Sequence, residues 1–131
     1  MNTLIVEDDF TSGLLLQKIL SSYGPVHIAV NGQEAIEAVR VSLETAQPYN
    51  LICMDIMMPV VDGHQALKKI RALEVSKGTV STRCAKIIMT TALNDLQNKI
   101  SAFSGLCDDY LVKPIDRQRL LGVIRDMHLI A

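Results

Sequence analysis

Short apolar runs in this chain end repeatedly on residues that can do chemistry. Leu4-Ile5-Val6 leads into Glu7-Asp8-Asp9, Leu51 to Met54 into Asp55, Lys86 to Met89 into Thr90-Thr91, and Asp109 to Val112 into Lys113-Pro114. If the first and third runs lie side by side, two or three carboxylates meet, and like charges that close destabilise one another unless protonated or bridged by a cation. A hard divalent ion such as Mg²⁺ resolves the conflict, because it takes oxygen ligands, keeps several waters and leaves room for a phosphate oxygen. At the end of a buried strand, the Asp55 carboxylate can be aimed at phosphorus as a nucleophile. Lys113 can neutralise both that carboxylate and an incoming phosphoryl group, and the Thr91 hydroxyl can hydrogen-bond a phosphoryl oxygen. Positioning and charge neutralisation are most of what a protein must supply for phosphoryl transfer.

Such residues need a scaffold that brings strand ends together, and the hydrophobic period supplies one. Apolar runs at Thr3 to Val6, Val26 to Val30, Leu51 to Met54, Lys86 to Thr90 and Asp109 to Val112 alternate with amphipathic stretches, the pattern of βαβ units around a parallel sheet. Five helices are expected. The first covers Phe10 to Tyr23, with Leu15, Leu16, Ile19 and Leu20 as its apolar stripe and Gly24-Pro25 as its stop. The second follows Asn31-Gly32 with Ala35, Ile36, Val39 and Leu43, and the third follows Asp62-Gly63 with Ala66, Leu67, Ile70 and Leu73. A weakly apolar fourth spans Asp95 to Ser104, and a fifth follows Pro114 with Leu120, Leu121, Ile124 and Met127. Ser76 to Arg83 is polar and aperiodic, which reads as a loop. Right-handed crossovers make the expected architecture α/β, a doubly wound sheet whose ligands gather at the carboxyl ends of the strands.

Composition narrows the classes. A chain of 131 residues has room for one domain, residues 1–131, and 13 Lys+Arg against 14 Asp+Glu give no electrostatic reason to expect nucleic acid or an anionic membrane as partner. Cys53, Cys84 and Cys107 are odd in number and lack CxxC spacing, arguing against a disulfide framework or zinc knuckle and for a reducing, cytoplasmic compartment. No run is long enough to span a membrane, and Glu7-Asp8-Asp9 cuts short any signal-peptide core.

Four segments, Leu4-Ile5-Val6-Glu7-Asp8-Asp9, Met54-Asp55-Ile56-Met57-Met58-Pro59-Val60-Val61-Asp62-Gly63, Met89-Thr90-Thr91-Ala92 and Asp109-Tyr110-Leu111-Val112-Lys113-Pro114, resemble the receiver domains of two-component response regulators, in the family's order and across essentially the whole chain. The resemblance implies a five-stranded parallel sheet in the flavodoxin-like order 2-1-3-4-5. It implies that Asp55 is the phospho-acceptor, taking a phosphoryl group from a histidine kinase or histidine phosphotransfer protein. Asp8 and Asp55 would ligate Mg²⁺ with the Met57 carbonyl, and Glu7 would act through water. Thr91 would read the phosphoryl group, Tyr110 would be the switching aromatic, and the bond before Pro114 would be cis. The product is a self-dephosphorylating switch that changes affinity for a downstream protein target. Pairing Glu7 with Asp8, in preference to Asp8 with Asp9, keeps Leu15, Leu16, Ile19 and Leu20 on the buried face. The stretch from Gly63 to Thr91 is several residues longer than is usual in the family.

Plainer readings hold elsewhere. Asp9 and Asp62 fit helix caps, the cysteines fit small apolar residues, Lys68-Lys69 and Arg117 with Arg119 fit solvated faces, and His27, His64 and His128 have no ligand spacing. A flavin-binding electron carrier of this fold would need a Ser/Thr/Gly-rich loop where three acids stand. A haloacid-type phosphatase would need a second Asp where Met57 stands. A receiver-like module that never becomes phosphorylated, and a receiver belonging to a larger hybrid kinase or regulator, remain as alternatives. A start at Met1 and an end in Leu129-Ile130-Ala131 without a linker lean toward a stand-alone protein.

Overall fold

The strands pair in parallel because their residues are apolar on both sides, and the caps between them turn the chain into helices that cover both faces. The computed structural model describes residues 1–58, 61–79, 83–92 and 106–131. In chain order these form β1 (Thr3–Val6), α1 (Phe10–Leu20), β2 (Val26–Ala29), α2 (Gly32–Glu44), β3 (Leu51–Asp55), α3 (Gly63–Ser76), β4 (Lys86–Thr91), β5 (Asp109–Val112) and α4 (Arg117–Asp126). The sheet has five strands in the order β2-β1-β3-β4-β5, so the first and third strands are neighbours. Val6 pairs with Met54 and Asp55 with Thr90, which brings the first and third acidic ends level.

Residue alternation splits the core in two. Leu4, Val6, Ile52, Met54, Ile87 and Met89 pack toward α2 and α3, while Ile5, Leu51, Cys53, Ile88 and Leu111 pack toward α1 and α4. Four helices start on a side-chain cap: Asp9 accepts from Ser12 N, Asn31 from Glu34 N, Asp62 from Gln65 N and Asp116 from Arg119 N. Asp9 and Asp62 therefore serve as caps, and Lys68, Lys69, Arg117 and Arg119 are exposed.

Three expectations need amendment. The first helix is α-helical only to Leu20, and Ser21–Tyr23 tightens into a 3₁₀ turn. Leu15 is 47% exposed, because the buried face is centred on Gly13, Leu16, Ile19 and Leu20. Asp55 and Thr91 each belong to their strand as its last residue rather than following it. The fourth expected helix, Asp95 to Ser104, lies outside the described residues, as do positions 80–82 of the expected loop.

Candidate functional site

At the carboxyl end of the sheet, β1 delivers Glu7 and Asp8, β3 delivers Asp55 and β5 delivers Lys113. Carboxylate oxygens of Glu7, Asp8 and Asp55 lie within 4.8 Å of one another. Glu7 and Asp55 are buried and Asp8 is exposed. Asp9 is turned away, its Oδ2 taking the Ser12 amide at 2.9 Å and the Ser12 hydroxyl at 2.6 Å. One cation answers the cluster from inside the fold: Lys113 Nζ donates to Glu7 Oε1 at 2.7 Å and to Asp55 Oδ2 at 3.0 Å. The other Asp55 oxygen, Oδ1, accepts from Met57 N at 3.1 Å, which fixes the plane of the carboxylate.

The backbone beneath Asp55 is equally constrained. Ile56 N donates to Thr90 O at 3.0 Å, and Gly63 N to Ile56 O at 3.0 Å. A Cβ at Gly63 would stand 2.5 Å from the Asp55 carbonyl oxygen, so only glycine lets the start of α3 close against the end of β3.

Burial and like charge set the electrostatics. Glu7 is pushed up to about 7, chiefly by burial and further by Asp55 alongside, although the hydrogen bond from Lys113 works the other way. For Lys113, burial alone would lower the ammonium, but the hydrogen bonds to Glu7 and Asp55 and the charge of both acids outweigh it and hold it above its ordinary value.

Thr91 is fully buried on the same face as Met89, its hydroxyl donating to Ala92 O at 3.3 Å, whereas Thr90 lines a small pocket with Ser12, Leu15 and Lys113 on the α1 side. Tyr110 is half-buried opposite Met89, with burial and a hydrogen bond to the Cys107 side chain raising its phenol. The Lys113-Pro114 bond is cis. Cys53 is buried and its thiol is pushed up to about 12 by burial, and Cys84 and Cys107 are likewise raised, first by burial, so none is an activated nucleophile.

A polar cluster at the opposite end of the sheet went unread in the sequence. Arg71 donates to Leu106 O, Ala85 O, Glu74 and Asp108, and Glu74 Oε2 accepts from Ala85 N at 2.8 Å. The available signal was Glu74 itself, a charge on the apolar stripe that Leu67 and Ile70 define.

The family model for the response regulator receiver domain matches residues 3–125. The chain belongs to that family. Among solved structures, this receiver domain is similar to the receiver domain of Ssk1 from Saccharomyces cerevisiae, crystallised with the histidine phosphotransfer protein Ypd1, at 31% identity and a TM-score of 0.81, covering 99% of this chain and 92% of the other. It is also similar to the receiver domain of sensor histidine kinase PA1611 from Pseudomonas aeruginosa, which holds a magnesium ion in its active site cleft, at 31% identity and a TM-score of 0.77, covering 95% and 94%. A curated relative, the probable transcriptional regulator ycf29 of Porphyra purpurea, is 32% identical over 129 residues. The alignment takes in 96% of this receiver but 56% of the relative, so the chain spans about half the length of that regulator. Among the described residues no helix is long and apolar enough to cross a membrane.

Proposed function

We propose that this chain, as one receiver domain over residues 1–131, accepts a phosphoryl group on Asp55 from the phosphohistidine of a sensor histidine kinase or histidine phosphotransfer protein. The convergence of Glu7, Asp8 and Asp55 at the carboxyl end of the sheet, with Lys113 paired to Glu7 and Asp55, carries the reading. Met57 N holds one Asp55 oxygen, leaving the carboxylate oriented for in-line attack on phosphorus. The P–N bond of the donor breaks as the Asp55 O–P bond forms, and the electron pair leaves with the imidazole, which takes up a proton. Lys113 faces the negative charge from within the fold and stabilises it where it builds up.

Among the described residues, three clustered carboxylates, two of them paired with the Lys113 ammonium, retain negative charge that an oxygen-seeking divalent cation would balance, so the donor set fits Mg²⁺. Asp8, Asp55 and the Met57 carbonyl would hold it, with Glu7 acting through water. Bound there, the ion supplies charge neutralisation at the transferring phosphoryl oxygens. Hydrolysis of the acyl phosphate returns the domain to rest.

Thr91 reads the phosphoryl group. Its hydroxyl now makes a long, neutral bond to Ala92 O, and exchanging that for a bond to a charged oxygen is worth about 1.5 to 3 kcal/mol. Such an energy tips a two-state element without refolding a domain. Tyr110, on the same face, is the aromatic that moves into the vacated space, and the altered surface changes affinity for a downstream protein target. Free cysteines and a near-neutral charge support a cytoplasmic protein that engages neither nucleic acid nor membrane. The relative's greater length favours a second arrangement, a receiver joined to an output or kinase segment, with the same chemistry at Asp55.

Incubation with a small phosphodonor should add one phosphoryl mass to the intact protein only when Mg²⁺ is present, and Asp55→Asn should add none. Equal addition to both proteins would remove Asp55 from the role. Thr91→Ala should still be phosphorylated but show little phosphorylation-dependent gain in target affinity, and full discrimination by that variant would place the switch elsewhere.

A further inference from the structure

A cavity of about 850 Å³ lies outside the acidic cluster, between α2 and the β2 edge of the sheet. Pro25, Ala38, Val41 and Pro48 give it apolar walls, and Val41 is 43% exposed. Its inner wall is fixed: Tyr49 is buried, and its hydroxyl meets His27 Nδ1 at 2.7 Å. β2 is the end strand, so its outer edge has no neighbouring strand among the described residues. Pro25 O and Ala29 O are used by β1, through Thr3 N and Glu7 N. In a parallel ladder the intervening residues Val26 and Ile28 then turn their amides and carbonyls outward. Glu34 Oε1 takes the next outward amide, Val30 N, at 3.3 Å, which marks the upper end of the open edge.

Charge selects the occupant. Glu34 and Glu37 line the groove and, among the described residues, no lysine or arginine does. Arg40 on α2 is shared between Glu37 and Glu44, and Lys77 Nζ lies 3.8 Å from Glu44, so among the described residues the three carboxylates of the helix meet two cations and Glu34 is in neither ion pair. We propose that this groove binds an extended segment of a partner protein whose groove-facing positions, every second residue, carry aliphatic and basic side chains in turn. The backbone of that segment continues the sheet at Val26 and Ile28, its aliphatic side chains enter between Val41 and Pro48, and its cations meet Glu34 and Glu37. The site is separate from the phospho-acceptor chemistry and tethers the receiver without occluding Asp55.

The test is an amide chemical-shift titration of the whole chain with a short peptide whose every second residue is in turn valine and lysine, with serine between them, in saturating Mg²⁺. Resonances of His27, Ile28, Ala38, Val41 and Tyr49 should move together and saturate, and binding should weaken as salt is raised. Glu34→Gln and Glu37→Gln should each weaken it roughly two- to fivefold, and Val41→Lys should abolish it while leaving the remaining spectrum folded. The same peptide with glutamate in place of lysine should not bind. The proposal is overturned if no saturable shift occurs, if the shifts centre on Glu7, Asp8 and Asp55, if Val41→Lys binds like wild type, or if the acidic peptide binds equally well.

Discussion

Glu7 is the residue whose surroundings set the pH behaviour of the site. Its carboxyl, raised from 4.5 to about 7 by burial beside Asp55, binds a proton more tightly in the folded chain than in the unfolded one. Stability from this group is therefore fully present below pH 4.5 and is lost as the pH rises through 7, with a total on the order of a few kcal/mol in the metal-free protein. Glu7→Gln should flatten that stretch of the profile, so urea denaturation of both proteins without metal should show wild type losing ground to the variant from pH 5 to pH 8. A parallel pH dependence in the two proteins would show that Glu7 titrates normally. Mg²⁺ should bind more tightly as the pH rises through the same range, because the cation competes with the Glu7 proton. The identity of these residues was legible because each closes an apolar run. The direction of each side chain was legible only in part: Asp9 could be read as a cap from its place before α1, whereas the turn of the Thr91 hydroxyl to Ala92 depends on packing that the sequence does not display.

At the scale of elements, strand period was the reliable signal, since two-sided burial leaves consecutive apolar residues and little else fits them. Helix faces were harder. Leu15 and Leu16 differ by 100° around α1, and the buried stripe admits only one of them, which Gly13 and Leu20 decide in favour of Leu16. Glu74 broke the stripe of α3 visibly, and Arg71 one turn before it is a local partner, but the Ala85 amide that Glu74 accepts from and the Asp108 that Arg71 reaches come from separate segments that no local pattern connects. The end of α2 stores a small strain. Ala46 stands at φ 57° just past the C-cap Thr45, in the left-handed region where a Cβ is unfavourable, and it is exposed. Ala46→Gly should therefore stabilise the protein by about 1 kcal/mol, the gain from relieving that conformation net of unfolded-state entropy. A change in the thermal midpoint upward by a few degrees would agree, and a downward one would show that the methyl packs in the small cavity it lines with Leu43 and Pro48.

Across the whole molecule, the sheet order β2-β1-β3-β4-β5 turns separate strand ends into one site: β1 and β3 meet at the acids, and β5 brings Lys113 close enough to bridge both. The groove beside β2 follows from the same order, which leaves that strand at the edge. It was not legible beforehand, because it depends on how α2 packs over the edge and not on any run of residues. The central claim, that Asp55 is the atom-level acceptor, is best tested by phosphorylating the protein with Mg²⁺, reducing the acyl phosphate with borohydride and locating the reduced residue by peptide mass spectrometry. The account predicts a single modified site at Asp55. Modification at Glu7 or Asp8, with Asp55 recovered intact, would contradict it.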